Sequence, residues 1–229
     1  MAKHVGIVAC SAEGAALCYR TLCTEAEAFM GEHRHPEVSL HTFSLADYMV
    51  LINADNWSGV GGLMADSAAK LASIGADFAI CPDNTIHQAY DAAREDSPIP
   101  WLHIAECVAE AAAAQSVRKL GITGTAYLMT GPVYPSALDR AGIEHALPTV
   151  AQRVRINGVI FDELVKGVVT EESQAFFLEV FAELKQAGCD AVVMGCTEIP
   201  LLMEGVETPV PALDSTRILA RAALRHALA

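Results

Sequence analysis

The sequence predicts an α/β protein of two pseudo-symmetric lobes. Each lobe is a parallel four-stranded sheet flanked by helices, with the active site in the cleft between them. Three observations predict this. Short apolar runs alternate with helical patterns along the whole chain, which forces parallel pairing with helices on both sheet faces. The second half repeats the first. The 229 residues are 52% hydrophobic and 19% charged, enough apolar matter for a core and too little charge for disorder.

In the first half, Val5–Ala9 is a short apolar run suited to a buried parallel strand. Ala12–Met30 has helical periodicity. Val38–Phe43 reads as a second strand and Gly59–Ile74 as a second helix. Phe78–Cys81 is a third strand, stopped by Pro82. Ala89–Arg94 is helical, Trp101–His103 a fourth strand, and Ala105–Gln115 an Ala-rich helix. The second half follows the same plan. Leu120–Thr123 is a strand, Pro135–Ala141 a helix and Ile143–His145 a strand. Helices Val154–Lys166 and Glu172–Ala187, strand Ala191–Met194, a short strand near Val210 and helix Ser215–Leu228 complete it.

The repeat is explicit in the residues. Leu71, Gly75 and Asp77 recur as Leu184, Gly188 and Asp190, each 113 positions on. Val5–Cys10 aligns with Leu120–Thr125 at an offset of 115, and Ile99–His103 with Val210–Asp214 at 111. Offsets that drift by so little imply one fold used twice with small loop changes. The expected lobes are residues 1–115 and 116–229, the last helix being free to pack back on the first lobe.

Charge and cysteine usage narrow the function. Fifteen Lys and Arg against 28 Asp and Glu give a formal charge of −13, which repels phosphate backbones and argues against nucleic acid as a partner. The uncharged stretch Leu120–Leu138 is interrupted by three Gly and two Pro, a poor membrane helix. The apolar run near the start is too short for a signal peptide, so a cytoplasmic location is expected. The seven cysteines show no C-x-x-C spacing, so neither a disulfide framework nor a zinc site is expected. No G-x-G-x-x-G follows Val5–Ala9 and no P-loop is present, which argues against hydride and phosphate chemistry.

In such sheets, ligands sit at the carboxyl ends of the strands. The loops after the third strand of each half read Cys81-Pro82-Asp83-Asn84-Thr85-Ile86-His87 and Gly195-Cys196-Thr197-Glu198-Ile199-Pro200. At the offset of 113, Asp83 falls opposite Cys196. A helix N-terminus after Cys196 would favour its thiolate. A thiol and a carboxylate delivered from equivalent loops suit proton transfer on opposite faces of one carbon.

Asn84-Thr85-Ile86-His87 and Gly195-Cys196-Thr197-Glu198 resemble the C-N-T-x-H and G-C-T-E motifs of the aspartate/glutamate racemase family, which includes hydantoin racemases, maleate isomerases and arylmalonate decarboxylases. The resemblance covers essentially the whole chain. It implies cofactor-independent proton transfer by two cysteines, one per half, on a small carboxylate such as aspartate or glutamate, by a homodimer. Cys196 matches the second cysteine, and Asp83 stands where the first is found. Two readings stay open: a racemase with Cys196 and Asp83 as its two bases, and a decarboxylase, lyase or isomerase using Cys196 alone. Cys81 is a lesser candidate for the second base.

Removing a Cα proton leaves an enolate-like carboxylate, so donors are needed where that charge develops. Asn84, Thr85, Thr125 and Thr197 are candidates, and Cys10, the repeat partner of Thr125, is expected to face the same space. The resemblance implies a Lys before a Gly after an aromatic-containing helix, which selects Lys166. It also implies an Arg in the second strand-loop, whereas the segment from Ser44 to Trp57 holds Asp47, Asp55 and no Arg or Lys. That points to a substrate less acidic than aspartate. His87 and Glu198 are possible site members, each with an ordinary structural alternative. A bilobal binding protein without turnover is the third class.

Overall fold

The computed structural model describes residues 2–229. The elements are β1 (Val5–Ala9), α1 (Ala12–Glu25), α2 (Glu27–Met30), β2 (Val38–Thr42), α3 (Leu45–Asn53), α4 (Trp57–Ser73) and β3 (Phe78–Ile80). A 3-10 turn (Thr85–Ala89), α5 (Tyr90–Glu95), β4 (Trp101–Leu102), α6 (Ile104–Ala114), β5 (Lys119–Thr123), α7 (Ala126–Thr130) and α8 (Val133–Ala141) follow. The chain closes with β6 (Glu144–Ala146), α9 (Val150–Asp162), a 3-10 turn (Leu164–Lys166), α10 (Glu171–Gln186), β7 (Ala191–Met194), α11 (Ile199–Leu202), β8 (Ala212–Asp214) and α12 (Ser215–Leu228). Two compact units result, one of residues 2–107 with Thr216–Ala229, the other of Val108–Ser215.

Each unit holds one parallel four-stranded sheet. The orders are β2-β1-β3-β4 and β6-β5-β7-β8, the same path taken twice. The register also repeats. Val5 pairs with Phe78 in the first sheet, and Leu120 with Ala191 in the second. Ala79 pairs with Trp101, and Val192 with Ala212. These pairs carry the offsets 115, 113 and 111 that the sequence shows, so the repeat is structural down to individual rungs.

The brace that sets this register recurs as well. The Asp77 carboxylate accepts the His4 N–H at 2.7 Å, while the Asp77 N–H donates to the His4 carbonyl at 2.9 Å. Asp190 does the same with Lys119, at 3.1 Å and 2.9 Å, and also accepts the Arg118 N–H at 2.8 Å. Gly75 and Gly188, with φ of +96° and +87°, end the preceding helices in a conformation that only Gly adopts cheaply. The chain therefore enters β3 and β7 by the same turn.

The first unit buries Val5, Ile7, Phe78 and Ile80 against Cys18 and Leu22 of α1 and Leu219, Ala223 and Leu224 of α12. The second packs Val192 and Met194 against Phe177, Phe181 and Leu184 of α10 and Ile156 and Ile160 of α9. The buried strands are apolar on both faces, as parallel strands between helices require.

The structure differs from the sequence expectations mainly at helix ends. The single helix expected over Ala12–Met30 breaks at Ala26 into α1 and α2. Helices α3 and α7 were not expected. Ser44 caps the first by accepting the Ala46 N–H, and Thr125 caps the second by accepting the Leu128 N–H. Helix α9 begins at Val150 instead of Val154, because Thr149 and Gln152 form a capping box. No helix among the described residues is long and apolar enough to cross a membrane.

The backbone N–H groups of Arg118 and Lys119 hold the Asp190 carboxyl below its ordinary value. A carboxyl depressed in the folded state stabilises the fold above its unfolded pKa, and that contribution is lost as pH falls through the lower folded value. Asp190→Asn, which keeps an acceptor but cannot titrate, should flatten the acid limb of the stability curve below roughly pH 4. Chemical denaturation at several pH values measures this, and an unchanged acid limb would contradict the brace.

Candidate active site

In the first unit the loop after β3 leaves the carboxyl edge of the sheet at Cys81. Asp83 lies three residues beyond Ile80, which pairs with Ile7. Its Oδ1 accepts the Ile86 N–H at 3.1 Å, so the side chain also caps the 3-10 turn that follows. Asp83 is half-buried, Asn84 buried and Thr85 half-buried. Cys10, buried, follows β1 at the same edge.

His87 is 3% exposed and fixes this loop from behind. Ile104 N–H donates to its Nε2 at 3.2 Å, which leaves Nδ1 to donate to the Asp83 carbonyl at 2.6 Å. Burial, reinforced by His103, pushes the imidazole well below its ordinary value. A neutral ring with both nitrogens committed to backbone positions Asp83; it has no nitrogen left for a proton-transfer task. Cys81 fares no better as a base. It is fully buried, and burial together with the Asp83 charge pushes its thiol well above the ordinary value. Such burial disfavours the thiolate that a proton acceptor there would need.

The second unit builds the equivalent loop. Cys196 lies three residues beyond Val193, which pairs with Ile122. Ile7–Ile80 and Ile122–Val193 are repeat-equivalent rungs, so Asp83 and Cys196 occupy the same station in the two halves. The loop is held tightly. Gly195 N–H donates to the Thr123 carbonyl at 2.8 Å, Ser215 Oγ donates to the Met194 carbonyl at 2.8 Å, and Thr123 Oγ1 donates to the Val193 carbonyl at 2.7 Å. A Cβ on Gly195 would sit 2.5 Å from Leu128 Cδ2 and 2.7 Å from the Thr123 oxygen. Gly124 is equally confined, its Cβ position lying 2.9 Å from the Gly195 carbonyl oxygen. Only two glycines allow β5 and β7 to end this close together.

Cys196 is half-buried, and its Sγ donates to Glu198 Oε2 at 2.9 Å. Thr197 Oγ1 donates to the same oxygen at 3.0 Å. Thr197 and Glu198 are both buried, at 4% exposure. Glu198 occupies the N-cap position of α11 but makes no side-chain cap bond; its carboxylate is turned to the thiol instead. Thr125 is buried at the N-terminus of α7. These residues share the carboxyl edge of the second sheet.

Lys166 belongs to the same unit. It ends a 3-10 turn, its side chain is 63% exposed, and its Nζ is 3.9 Å from Asp162. Such a surface ion pair holds the ammonium only weakly. Two residues escaped the sequence reading. Ser215, which anchors the strand end before Cys196, carries no motif. Tyr48 lies on a helix that was not anticipated; the Ser44-Leu45-Ala46-Asp47 start, an N-cap before an acidic first turn, was the available signal.

Comparison with known proteins supplies an independent line. The model of the Asp/Glu/Hydantoin racemase family matches residues 7–223. The broad specificity amino-acid racemase RacX of Bacillus subtilis is 25% identical over 164 residues, covering 72% of this chain and 70% of that protein. A glutamate racemase of Hydrogenobaculum is 28% identical over 152 residues, covering 65% of this chain and 56% of that protein. The chain thus spans little more than half the length of that glutamate racemase. Among solved structures, a Yersinia pestis protein assigned to the Asp/Glu racemases superposes with a TM-score of 0.91 at 29% identity, covering 99% of this chain and 100% of that one. An aspartate racemase homologue from Pyrococcus horikoshii shares the fold, with a TM-score of 0.86 at 24% identity over the whole of both chains.

The glycine contacts make a direct prediction. Gly195→Ala should destabilise the protein by roughly 1–3 kcal/mol, because the methyl group must displace backbone oxygen or Leu128. Thermal denaturation should show a Tm lower by several degrees, and an unchanged Tm would mean that β5 and β7 are free to separate.

Proposed function

The chain belongs to the Asp/Glu/Hydantoin racemase family, and from that premise we propose that it interconverts the enantiomers of a small α-amino carboxylate by cofactor-independent proton transfer. Asp83 and Cys196 are the two acid–base groups, meeting opposite faces of the substrate Cα. The observation that carries this reading is their equivalence: each stands three residues past the same rung of a duplicated register.

The chemistry follows from the two groups. At ordinary values a carboxylate is ionised and a thiol protonated at neutral pH, so the pair offers one acceptor and one donor. The Glu198 carboxylate accepting from Cys196 supports the protonated thiol as its resting form. An Asp83 oxygen takes the Cα proton; the C–H electron pair moves into the carboxylate, giving an enediolate-like anion. The Cys196 S–H then delivers its proton to the other face. Asp83 ends protonated and Cys196 ends as thiolate, which is the starting state for the reverse direction. Donors at Asn84, Thr85, Thr125 and Thr197 offset the developing negative charge, each worth about 10²–10³ in rate if well aimed. Lys166 supplies the cation for the substrate carboxylate once it leaves Asp162. Glu198 and His87 act through others: one orients the thiol, the other the Asp83 loop.

One observation favours the single-thiol alternative. Asp83 already accepts the Ile86 N–H through Oδ1, which is a sufficient structural role for it. A decarboxylase or lyase would then protonate its carbanion from the Cys196 face alone.

Variants separate the readings. Cys196→Ser should slow α-proton exchange in D2O by roughly 10³-fold or more, since the alcohol is a far weaker acid at neutral pH. Asp83→Asn should reduce racemisation by a comparable factor while keeping the cap of the 3-10 turn. NMR of the Cα proton across a panel of amino acids and substituted malonates measures both. Full activity in Asp83→Asn would favour the single-thiol chemistry, and full exchange in Cys196→Ser would remove the thiol from the mechanism.

A further inference from the structure

Tyr48 belongs to the first turn of α3, directly after β2. That strand pairs with β1 up to Ala9 and Thr42, so the start of α3 lies at the carboxyl edge of the first sheet, where the loops carrying Cys10 and Asp83 emerge. The side chain is fully buried, at 0% exposure. Its hydroxyl nevertheless has no hydrogen-bond partner among the described residues. A buried hydroxyl left unpaired costs about 1–3 kcal/mol. Phenylalanine would fill the same space without that cost, so the oxygen needs a reason. The groups that act on it electrostatically, after burial itself, are Cys81, Cys10 and Asp83, and together they push the phenol well above its ordinary range. The hydroxyl thus stays an O–H donor, set among the residues of the candidate first half-site.

We propose that the Tyr48 hydroxyl is a specificity-determining donor that binds a neutral hydrogen-bond acceptor, an amide or hydroxyl oxygen, on the side chain of the substrate. This rests on the racemase reading above and narrows its substrate class. The neutrality follows from the surroundings. Asp83 contributes negative charge, and the segment from Ser44 to Trp57 holds no Lys or Arg. Lys70, which reaches the neighbouring β2, is taken up by the Phe43 ring at 4.1 Å and by His41 at 3.2 Å. A second substrate carboxylate would meet the Asp83 charge with no Lys or Arg on that segment to offset it, whereas an uncharged acceptor satisfies the phenol and meets no repulsion. The expected substrates are amino acids such as asparagine or glutamine in preference to aspartate or glutamate.

The test compares wild type with Tyr48→Phe. Because the hydroxyl is unpartnered, Tyr48→Phe should melt at or above the wild-type temperature. In α-proton exchange with asparagine, kcat/KM should fall about 10-fold, mostly through KM; that corresponds to about 1.4 kcal/mol. Exchange with alanine should change less than about 3-fold, since alanine offers no side-chain acceptor and loses only a general effect. A lower Tm with an unchanged asparagine-to-alanine ratio would make the hydroxyl structural and overturn the proposal. So would a wild-type enzyme faster on aspartate than on asparagine. If wild type exchanges no amino acid, the racemase reading fails, and the role of Tyr48 is decided by ligand-induced thermal shift. A shift with millimolar asparagine that Tyr48→Phe abolishes supports the donor. No shift, or an equal shift in both proteins, overturns it.

Discussion

Everything at the candidate site depends on a short contact far from it: an aspartate carboxylate receiving the backbone N–H that opens the first strand of each unit. Asp77 with His4 and Asp190 with Lys119 lock the first and third strands into the same register twice. Once that register is fixed, the length of the third strand decides where its loop leaves the sheet. Parallel sheets admit no gradual adjustment here, since a slip of one residue reverses every side chain. Two loops therefore emerge at equivalent stations, and each brings one proton-active side chain.

The two stations have diverged in chemistry while keeping their geometry. The second is compressed by Gly124 and Gly195 and anchored by Ser215, so Cys196 sits on a rigid strand end with Glu198 beside its sulfur. The first is held by the neutral imidazole of His87, which bridges the Asp83 carbonyl and the Ile104 N–H. One loop is positioned by backbone packing and the other by a buried side chain. A carboxylate and a thiol differ in ordinary pKa by more than 4 units, about 6 kcal/mol, so the two stations carry groups of unequal acidity.

The fold was legible because buried parallel strands read as continuous apolar runs, and because the repeat left its residues in place. Leu71-Gly75-Asp77 and Leu184-Gly188-Asp190 are the turn and the brace themselves, not merely a pattern. Helix ends were less legible, since caps such as Asn56 and Thr149 act through single hydrogen bonds that periodicity does not register. The equivalent placement of Asp83 and Cys196 was readable from their loops. The turning of Glu198 toward Cys196 was not, because an i, i+2 contact exists only in a particular tight turn. Lys166 was selected by resemblance, and the structure puts it at the surface beside Asp162. Tyr48 was invisible because nothing in a lone tyrosine announces that its hydroxyl will be buried without a partner.

The central claim is that two different groups handle the proton on the two faces of one carbon. The most direct measurement is racemisation in D2O stopped at low conversion, with the enantiomers separated and the deuterium in each counted. Two single-proton groups predict that the newly formed enantiomer carries solvent deuterium at Cα while the recovered starting enantiomer keeps its proton. A product that retains the original proton would mean that one group carried it across. Deuterium appearing only in the starting enantiomer would mean that no second face is served at all.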